Sequence, residues 1–226
     1  MKASPQAPLG ASLPEIAPPI LRVQTGTHHD PFEVLGVHRQ PDGSTLIRAF
    51  LPAAEAVEVA GGRMTRVAGT DCFERLLPPG SAVEPHPVLR WQDKGAGDWH
   101  TMQCPYSFDP QLGEMDLYLL GEGRHLEAWK VLGARLKTVD GVDGCLFAVW
   151  APAVQRVSVI GDFNEWDGRR HPMRCRATSG MWELFIPGLA AAALLWSSRG
   201  SLPLGLVAIG VAALLIFNPA KHRFRA

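Results

Sequence analysis

CLFAVWAPAVQRVSVIG, residues 145–161, carries the clearest structural signal in the chain. Its first part, residues 146–150, is a short apolar run that follows the turn-forming residues 140–144. Its second part, residues 156–160, alternates with period two, so its two valines face one way and its arginine and serine face the other. Pro152 separates the runs, at a point where a central strand would lose a ladder hydrogen bond. The stretch therefore predicts two short β-strands separated by the proline.

The same pattern occurs about 100 residues earlier, a length at which a repeat is a whole domain rather than a solenoid unit. Residues 45–53 and 57–61 repeat the two runs, and Pro52 corresponds to Pro152 at this constant offset. Residues 181–186 form a third predicted strand, which ends at a Pro-Gly pair. A repeat of this length has the size of a β-sandwich. The sequence thus predicts an all-β fold of two tandem β-sandwiches.

Composition supports short strands over long helices. The chain has 226 residues with 23 glycines and 19 prolines, which favours many turns. The best helical pattern in the two sandwiches is Gly123–Leu136. The 22 basic residues balance the 22 acidic ones, and this zero net charge argues against a nucleic-acid partner.

The chain divides into four segments that differ in amino-acid composition. Residues 1–25 are rich in Pro, Ala and Ser and predict a flexible lead-in. Residues 26–110 form the first predicted sandwich, and residues 111–189 form the second, which we expect to be incomplete. Residues 190–226 become almost wholly apolar and form a distinct tail.

The cysteines indicate a reducing compartment. None of the four forms a CxxC pair or has a histidine at zinc-finger spacing, so we expect free thiols and no metal. The N-terminus has no apolar core of a secretory signal, which favours a cytoplasmic location. The four residues are Cys72, Cys104, Cys145 and Cys175.

The loop Gly161–Gly168 is the sharpest candidate for a binding site. Trp166 could stack on the C–H face of a sugar ring, while Asn164 and Asp167 bond to its hydroxyl groups. The alternative interpretation is structural: the tryptophan packs under its own turn, and Asn164 and Asp167 are turn-forming residues. Both interpretations stay open at the level of sequence.

Other chemistry finds weaker support. Asp162, Glu165 and Asp167 crowd into one short loop, whereas glycoside hydrolysis needs two carboxylates across a cleft. His28-His29-Asp30 precedes a proline and is more typical of a capped loop than of a metal site. No phosphate-binding, dinucleotide, metalloprotease or nucleophile-elbow motif occurs. The remaining candidate is a basic cluster, which could bind phosphate or could simply form a solvent-exposed edge. It consists of Arg169, Arg170, His171, Arg174 and Arg176.

Several of these stretches resemble bacterial glycogen branching enzymes. His28–Gly36 is similar to the start of that family's sequence. Cys104–Phe108 resembles a Pro-Tyr-hydrophobic motif that follows later in the family's sequence. The most specific run comprises residues 147–152, 156–164, 166–169, 171–174 and 180–188, and the second sandwich resembles a family 48 carbohydrate-binding module. The resemblance implies that both sandwiches are immunoglobulin-like and that the partner is an α-glucan.

The family's activity is the transfer of an α-1,4-glucan segment to a 6-hydroxyl group, by retaining chemistry on a TIM barrel. No barrel motif occurs in these 226 residues, so the resemblance assigns no catalytic residue and no cofactor, and we expect the chain alone to be inactive. It implies the glucan-binding, accessory part of a branching enzyme.

The tail leaves an alternative open. Leu202–Phe217 is uncharged and is followed by basic residues at 221, 223 and 225, a pattern close to that of a membrane-spanning helix but short of ~20 residues. We therefore expect a C-terminal apolar helix. A non-catalytic, membrane-tethered α-glucan-binding protein is the alternative function, and an altered reading frame or fusion after Leu189 is the alternative origin of the tail.

Overall fold

A computed structural model describes residues 16–95, 97–176, 179–189 and 213–217. Antiparallel strands are the predominant regular secondary structure of these residues, which confirms the all-β class; helices α1 (Pro18–Gln24) and α2 (Glu114–Gly121) are short. The strands are β1 (Gly36–Arg39), β2 (Thr45–Phe50), β3 (Ala54–Val59), β4 (Gly62–Arg63), β5 (Thr65–Arg66), β6 (Cys72–Leu77), β7 (Val88–Asp93), β8 (Trp99–Gln103), β9 (Gly133–Val139), β10 (Val142–Trp150), β11 (Arg156–Ile160), β12 (Arg174–Cys175), β13 (Met181–Pro187) and β14 (Ala213–Phe217).

The strands form two sheets in each half of the chain. In the first half the orders are β1-β2-β6-β5 and β4-β3-β7-β8. In the second half they are β12-β13-β10-β9 and the pair β11-β14. Tight turns set the hairpins: Ala60-Gly61 and Asp140-Gly141 each have two consecutive positive φ angles, the conformation that matches the twist of paired strands.

The internal repeat is also a structural repeat. Strand β2 pairs with β6, and its counterpart β10 pairs in the same sense with β13. The first strand of each half begins at a glycine with positive φ, 99° at Gly36 and 96° at Gly133. At Gly36 an added Cβ would lie 2.2 Å from a backbone oxygen, so only glycine fits there.

All three strands predicted from the second half are present. Residues 146–150 lie within β10, residues 156–160 coincide with β11, and residues 181–186 lie within β13. Strand β11 nevertheless has no solvent-facing side, because all five of its residues are buried. The side opposite the valines is covered because Arg156 bonds to Ser158 and to the carbonyl of Gly168.

The prediction of a helix over Gly123–Leu136 is wrong. Helix α2 ends before this segment, which instead contains a 3-10 turn at Ala128–Lys130 and the first residues of β9. Gly123 and Gly133 both have positive φ, and β9 satisfies its backbone by pairing with β10. Pairing with a neighbouring strand thus outweighs a weak helical periodicity.

The flexible lead-in predicted for residues 1–25 is wrong at Pro18–Gln24, which forms α1. Proline at the first helical position favours a helix start, and Ile20 and Val23 are buried in the core. Residues 1–15 lie outside the described residues.

The predicted C-terminal apolar helix is wrong for Ala213–Phe217, which is the strand β14. It pairs antiparallel with β11, from Arg156 opposite Phe217 to Ile160 opposite Ala213. An edge of β11 offers unpaired backbone groups, and an extended segment satisfies them where a helix would not. Residues 202–212 of the predicted helix lie outside the described residues. Among the residues that are described, no helix has the length and apolarity required to cross a membrane.

One core cluster continues through both halves. It contains Phe50 and Val57 from the first half together with Phe147, Val157 and Trp182 from the second. Polar contacts reinforce the junction, which lies directly beside the candidate loop. The hydroxyl of Tyr106 donates to the carbonyl of Arg170 over 3.1 Å, and the Arg174 guanidinium lies 3.4 Å above the Phe32 ring.

Candidate functional site

The loop Gly161–Gly168 leaves the buried strand β11 and turns sharply. It begins with a 3-10 turn at Asp162–Asn164. Glu165 and Trp166 follow with φ angles of 56° and 59°, a left-handed conformation that few non-glycine residues adopt. Such positions persist only where surrounding contacts hold them, and they are common at ligand sites.

Trp166 lies at the surface of this loop. The residue is 45% exposed, and its indole Nε1 donates to Asp162 Oδ1 over 2.9 Å. The bond holds the ring edge to the start of the loop and leaves a large part of the ring accessible. The structure therefore presents Trp166 as an ordered aromatic surface and does not bury it under its own turn.

Asn164 is placed differently from the sequence-based hypothesis of a sugar contact. It is 1% exposed, and its Oδ1 accepts the backbone N–H of Gly161 over 2.9 Å. This bond orients the amide, whose Nδ2 donates to the Val159 carbonyl (2.8 Å) and to His171 Nδ1 (2.9 Å). The amide is thus used within the loop, and Asn164 acts on the site by holding the turn that carries Trp166.

Asp167 is intermediate in exposure between the exposed Trp166 and the buried Asn164. Its carboxylate accepts two side-chain nitrogens of Arg169, with Nη2 2.8 Å from Oδ2, and its side chain is 24% exposed. Burial alone would raise the pKa of Asp167, but the Arg169 hydrogen bonds outweigh it and hold the pKa below its usual value. The group is an anionic acceptor whose geometry Arg169 holds.

The other acids of the loop are also paired. Asp162 accepts from the Trp166 indole, and Glu165 forms an ion pair with Arg170 at 3.2 Å. No pair of opposed carboxylates across a cleft is formed by Asp162, Glu165 and Asp167, which lie in one loop.

The basic cluster is divided among separate contacts. Arg174 donates to the Phe108 carbonyl and stacks on Phe32, while Arg176 pairs with the buried Glu183 at 2.8 Å. His171 is buried, and desolvation followed by the charge of Arg170 lowers its pKa to about 4. Arg174 thus links the two halves, Arg176 stabilises the second half, and the cluster does not form one exposed basic edge.

His28-His29-Asp30 forms a capped turn. The carboxylate of Asp30 accepts the N–H of Phe32 over 3.0 Å, and His28 Nδ1 accepts the N–H of Asp30 over 3.2 Å. Within the described ranges, no group of three or more His, Cys, Asp or Glu side chains is arranged to hold a metal ion.

Trp150 is a second exposed tryptophan, which the sequence pattern predicts only as a strand residue. Trp150 is 53% exposed at the end of β10, opposite Met181. The available signal was its position: a large aromatic residue that ends a strand directly before Ala151-Pro152 has fewer neighbours to cover it.

The comparisons with known proteins cover both halves. Residues 18–106 match the model of the N-terminal domain of alpha-1,4-glucan branching enzyme GlgB. Residues 131–200 match carbohydrate-binding module 48, the isoamylase N-terminal domain, and this range contains the loop and both tryptophans. The second half of the chain therefore matches the class of carbohydrate-binding modules of family 48.

The relatives identify the particular family. The chain is 80% identical over 173 residues to a 1,4-alpha-glucan branching enzyme GlgB of Thiobacillus denitrificans, covering 76% of this chain and 23% of the relative. It is 52% identical over 181 residues to the enzyme of the same name in Methylococcus capsulatus, covering 79% and 24%. The chain matches the N-terminal region of 1,4-alpha-glucan branching enzymes. It spans about a quarter of the length of these relatives.

Proposed function

We propose that this chain binds α-glucan at the loop Gly161–Gly168 and serves as the accessory, glucan-holding part of a glycogen branching enzyme. The observation that carries the proposal is Trp166, an ordered and half-exposed indole within the region that matches the carbohydrate-binding module. A flat aromatic surface suits the C–H face of a glucose ring.

The polar groups of the loop divide into two roles under this proposal. The partly exposed carboxylate of Asp167, which Arg169 holds through its backbone N–H and its guanidinium, is the candidate acceptor for a sugar hydroxyl. Asn164 positions the turn from below. Trp150 is a further candidate surface in the same matched region.

We also propose a division of the chain near residue 110, with an immunoglobulin-like sandwich on each side. The paired sheets of the first half and the structural repeat support it. The buried thiols of Cys72, Cys104 and Cys145, which form no disulfide, support a reducing, cytoplasmic compartment. The branching reaction itself belongs to this proposal only through the relatives' names.

Affinity electrophoresis in native gels that contain glycogen tests the proposal. Glycogen should retard the chain, and Trp166→Ala should weaken the apparent affinity about five- to tenfold, because a stacked aromatic contributes about 1 kcal/mol or more. Trp99→Ala is the matched control, since Trp99 is exposed to a similar degree (40%) but lies in the first half.

Unchanged retardation of the Trp166→Ala variant would overturn the loop as the site. If Trp150→Ala then abolished retardation, the aromatic surface would lie at the end of β10 instead. Absence of retardation for the parent chain would exclude glucan binding by either tryptophan.

A further inference from the structure

A cavity lies between the two halves, and Trp166 is not among the residues that line it. Its volume is about 550 Å³, within the range of about 300–1,000 Å³ that is typical of small-molecule sites. The first half contributes Trp91 from β7 and His100 and Met102 from β8. The second half contributes Phe163, His171 and the end of β13. We call this space the β7–β8 cleft.

The walls of the cleft are aromatic. The rings of Trp91 and His100 lie 5.4 Å apart at an angle of 31°, and Phe163 meets His171 edge to face at 5.5 Å. Ile186 adds an aliphatic surface, and the exposed Thr101 lies at the rim. Flat apolar surfaces with a few polar groups at their edges suit a ligand that has a C–H face and hydroxyl groups.

His171 supplies an unused hydrogen-bond donor at this wall. Its Nδ1 accepts from Asn164 Nδ2, whose orientation is set because Oδ1 of the same amide accepts from Gly161. The neutral ring therefore carries its proton on Nε2. Nε2 is buried and has no hydrogen-bond partner among the residues that the structure describes. His171 is one of the residues that line the cleft, so Nε2 is the unpartnered nitrogen of a lining ring.

An unsatisfied buried donor requires an explanation, since leaving one unpaired costs about 1–3 kcal/mol. An oxygen acceptor in the cleft would remove this cost. The residue remains neutral and a donor at neutral pH, since burial lowers its pKa to about 4.

We infer that the β7–β8 cleft is a second α-glucan site, which holds a glucose unit between Trp91 and Phe163 with a sugar oxygen on His171 Nε2. This inference rests on the proposed function for the ligand class. It adds a site to which both halves contribute, so glucan binding would also link the halves. The loop and the cleft share one turn, because Asn164 contacts His171 on one side and carries Trp166 on the other.

Nuclear magnetic resonance on the full chain with maltotetraose as the probe separates the two sites. The His171 Nε2–H and Trp91 indole signals report the cleft, and the Trp166 indole signal reports the loop. We expect both sets to shift on titration. If only Trp166 responds, the cleft inference fails and the proposed function stands. If only the cleft responds, the loop fails and the cleft stands; if neither responds, both fail.

A blocking variant provides the second measurement. Thr101→Trp places a bulky ring at the rim and should raise the dissociation constant read from His171 by about tenfold or more. Thr65→Trp is the matched control, an identical change at an exposed position of β5, and should leave it unchanged. An unchanged dissociation constant at His171 in the Thr101→Trp variant would show that the sugar does not bind in the cleft, and would overturn the inference.

Discussion

At the scale of single residues, burial decides which polar side chains of the loop can meet a ligand. Asn164 and Trp166 are two positions apart, yet one is 1% exposed and the other 45%. The difference arises because Asn164 completes three hydrogen bonds inside the turn. The residue types alone left both a sugar contact and a structural turn open at these positions. Only the contacts show that Asn164 supports the turn while Trp166 is exposed on it.

His171 makes the stability of the chain depend on pH. Burial lowers its pKa from 6.5 to about 4, so the unfolded state binds the proton more tightly than the folded state. Its contribution is fully present above about pH 6.5 and is lost as the pH falls towards 4. Between pH 7 and pH 4 we expect the free energy of unfolding to fall by up to about 3 kcal/mol from this residue.

Urea unfolding of the parent chain and of His171→Gln at several pH values measures this contribution. The variant has no titrating group at this position, so its stability should fall less between pH 7 and pH 4. Identical pH profiles for the two proteins would contradict the assignment. A direct titration of the His171 ring signal provides an independent value for the folded state.

At the scale of elements, strand β14 completes the edge of β11. The segment belongs to an apolar run whose composition favours a membrane helix, yet its backbone pairs over five residues with β11. The two strands are separated by more than 50 residues of sequence. Local periodicity cannot detect such pairing, because the partner that stabilises the extended form is distant in the chain.

Proline substitutions in β14 test this pairing. In an antiparallel pair, backbone N–H groups of successive residues point alternately towards the partner and away from it. Of Leu214→Pro and Leu215→Pro, one should therefore lose a bond to β11 and destabilise the chain by about 1–3 kcal/mol, measured by urea unfolding. The other should be nearly neutral, since edge strands tolerate proline on their free side.

The two variants serve as controls for each other. Unfolding midpoints equal to that of the parent in both variants would show that β14 contributes nothing to stability. Equal losses in both would contradict pairing on one side only.

At the scale of the whole molecule, the two halves share one core. The main cluster includes Cys72 from the first half and Cys145 from the second. Long-range polar contacts cross the same junction, and Arg156 of β11 donates to the carbonyl of Gly26, 130 residues away in sequence. A shared core favours a single cooperative unfolding transition over two separate ones.

The buried thiols provide a probe for that cooperativity. Burial raises the pKa of Cys72 to about 12 and that of Cys145 to about 11, so both are unreactive in the folded state. Pulse labelling with a thiol reagent in increasing urea, read by mass spectrometry of peptides, should show both residues reacting at the same midpoint. Clearly separated midpoints would show that the halves unfold independently.

Sequence reasoning succeeded where the signal is local. The alternation at residues 156–160, the Asp140-Gly141 turn and the repeat at an offset of 100 each lie in the structure where they were expected. It failed at Gly123–Leu136 and at α1, where a few apolar residues fit more than one element. In both places the outcome depends on which distant surface covers those residues.

The amino-acid sequence by itself determined the strands, the turns between them, the tandem repeat and the resemblance to branching enzymes, because these depend on neighbouring residues and on motifs. Only the tertiary structure decided which polar groups are free. Glu183 is buried because it accepts the N–H of Gln111 from 72 residues away, and β11 is covered because β14 returns to it. The free energy of a buried polar group depends on partners brought by the fold, so the loop's accessible surface and the β7–β8 cleft become visible only in three dimensions.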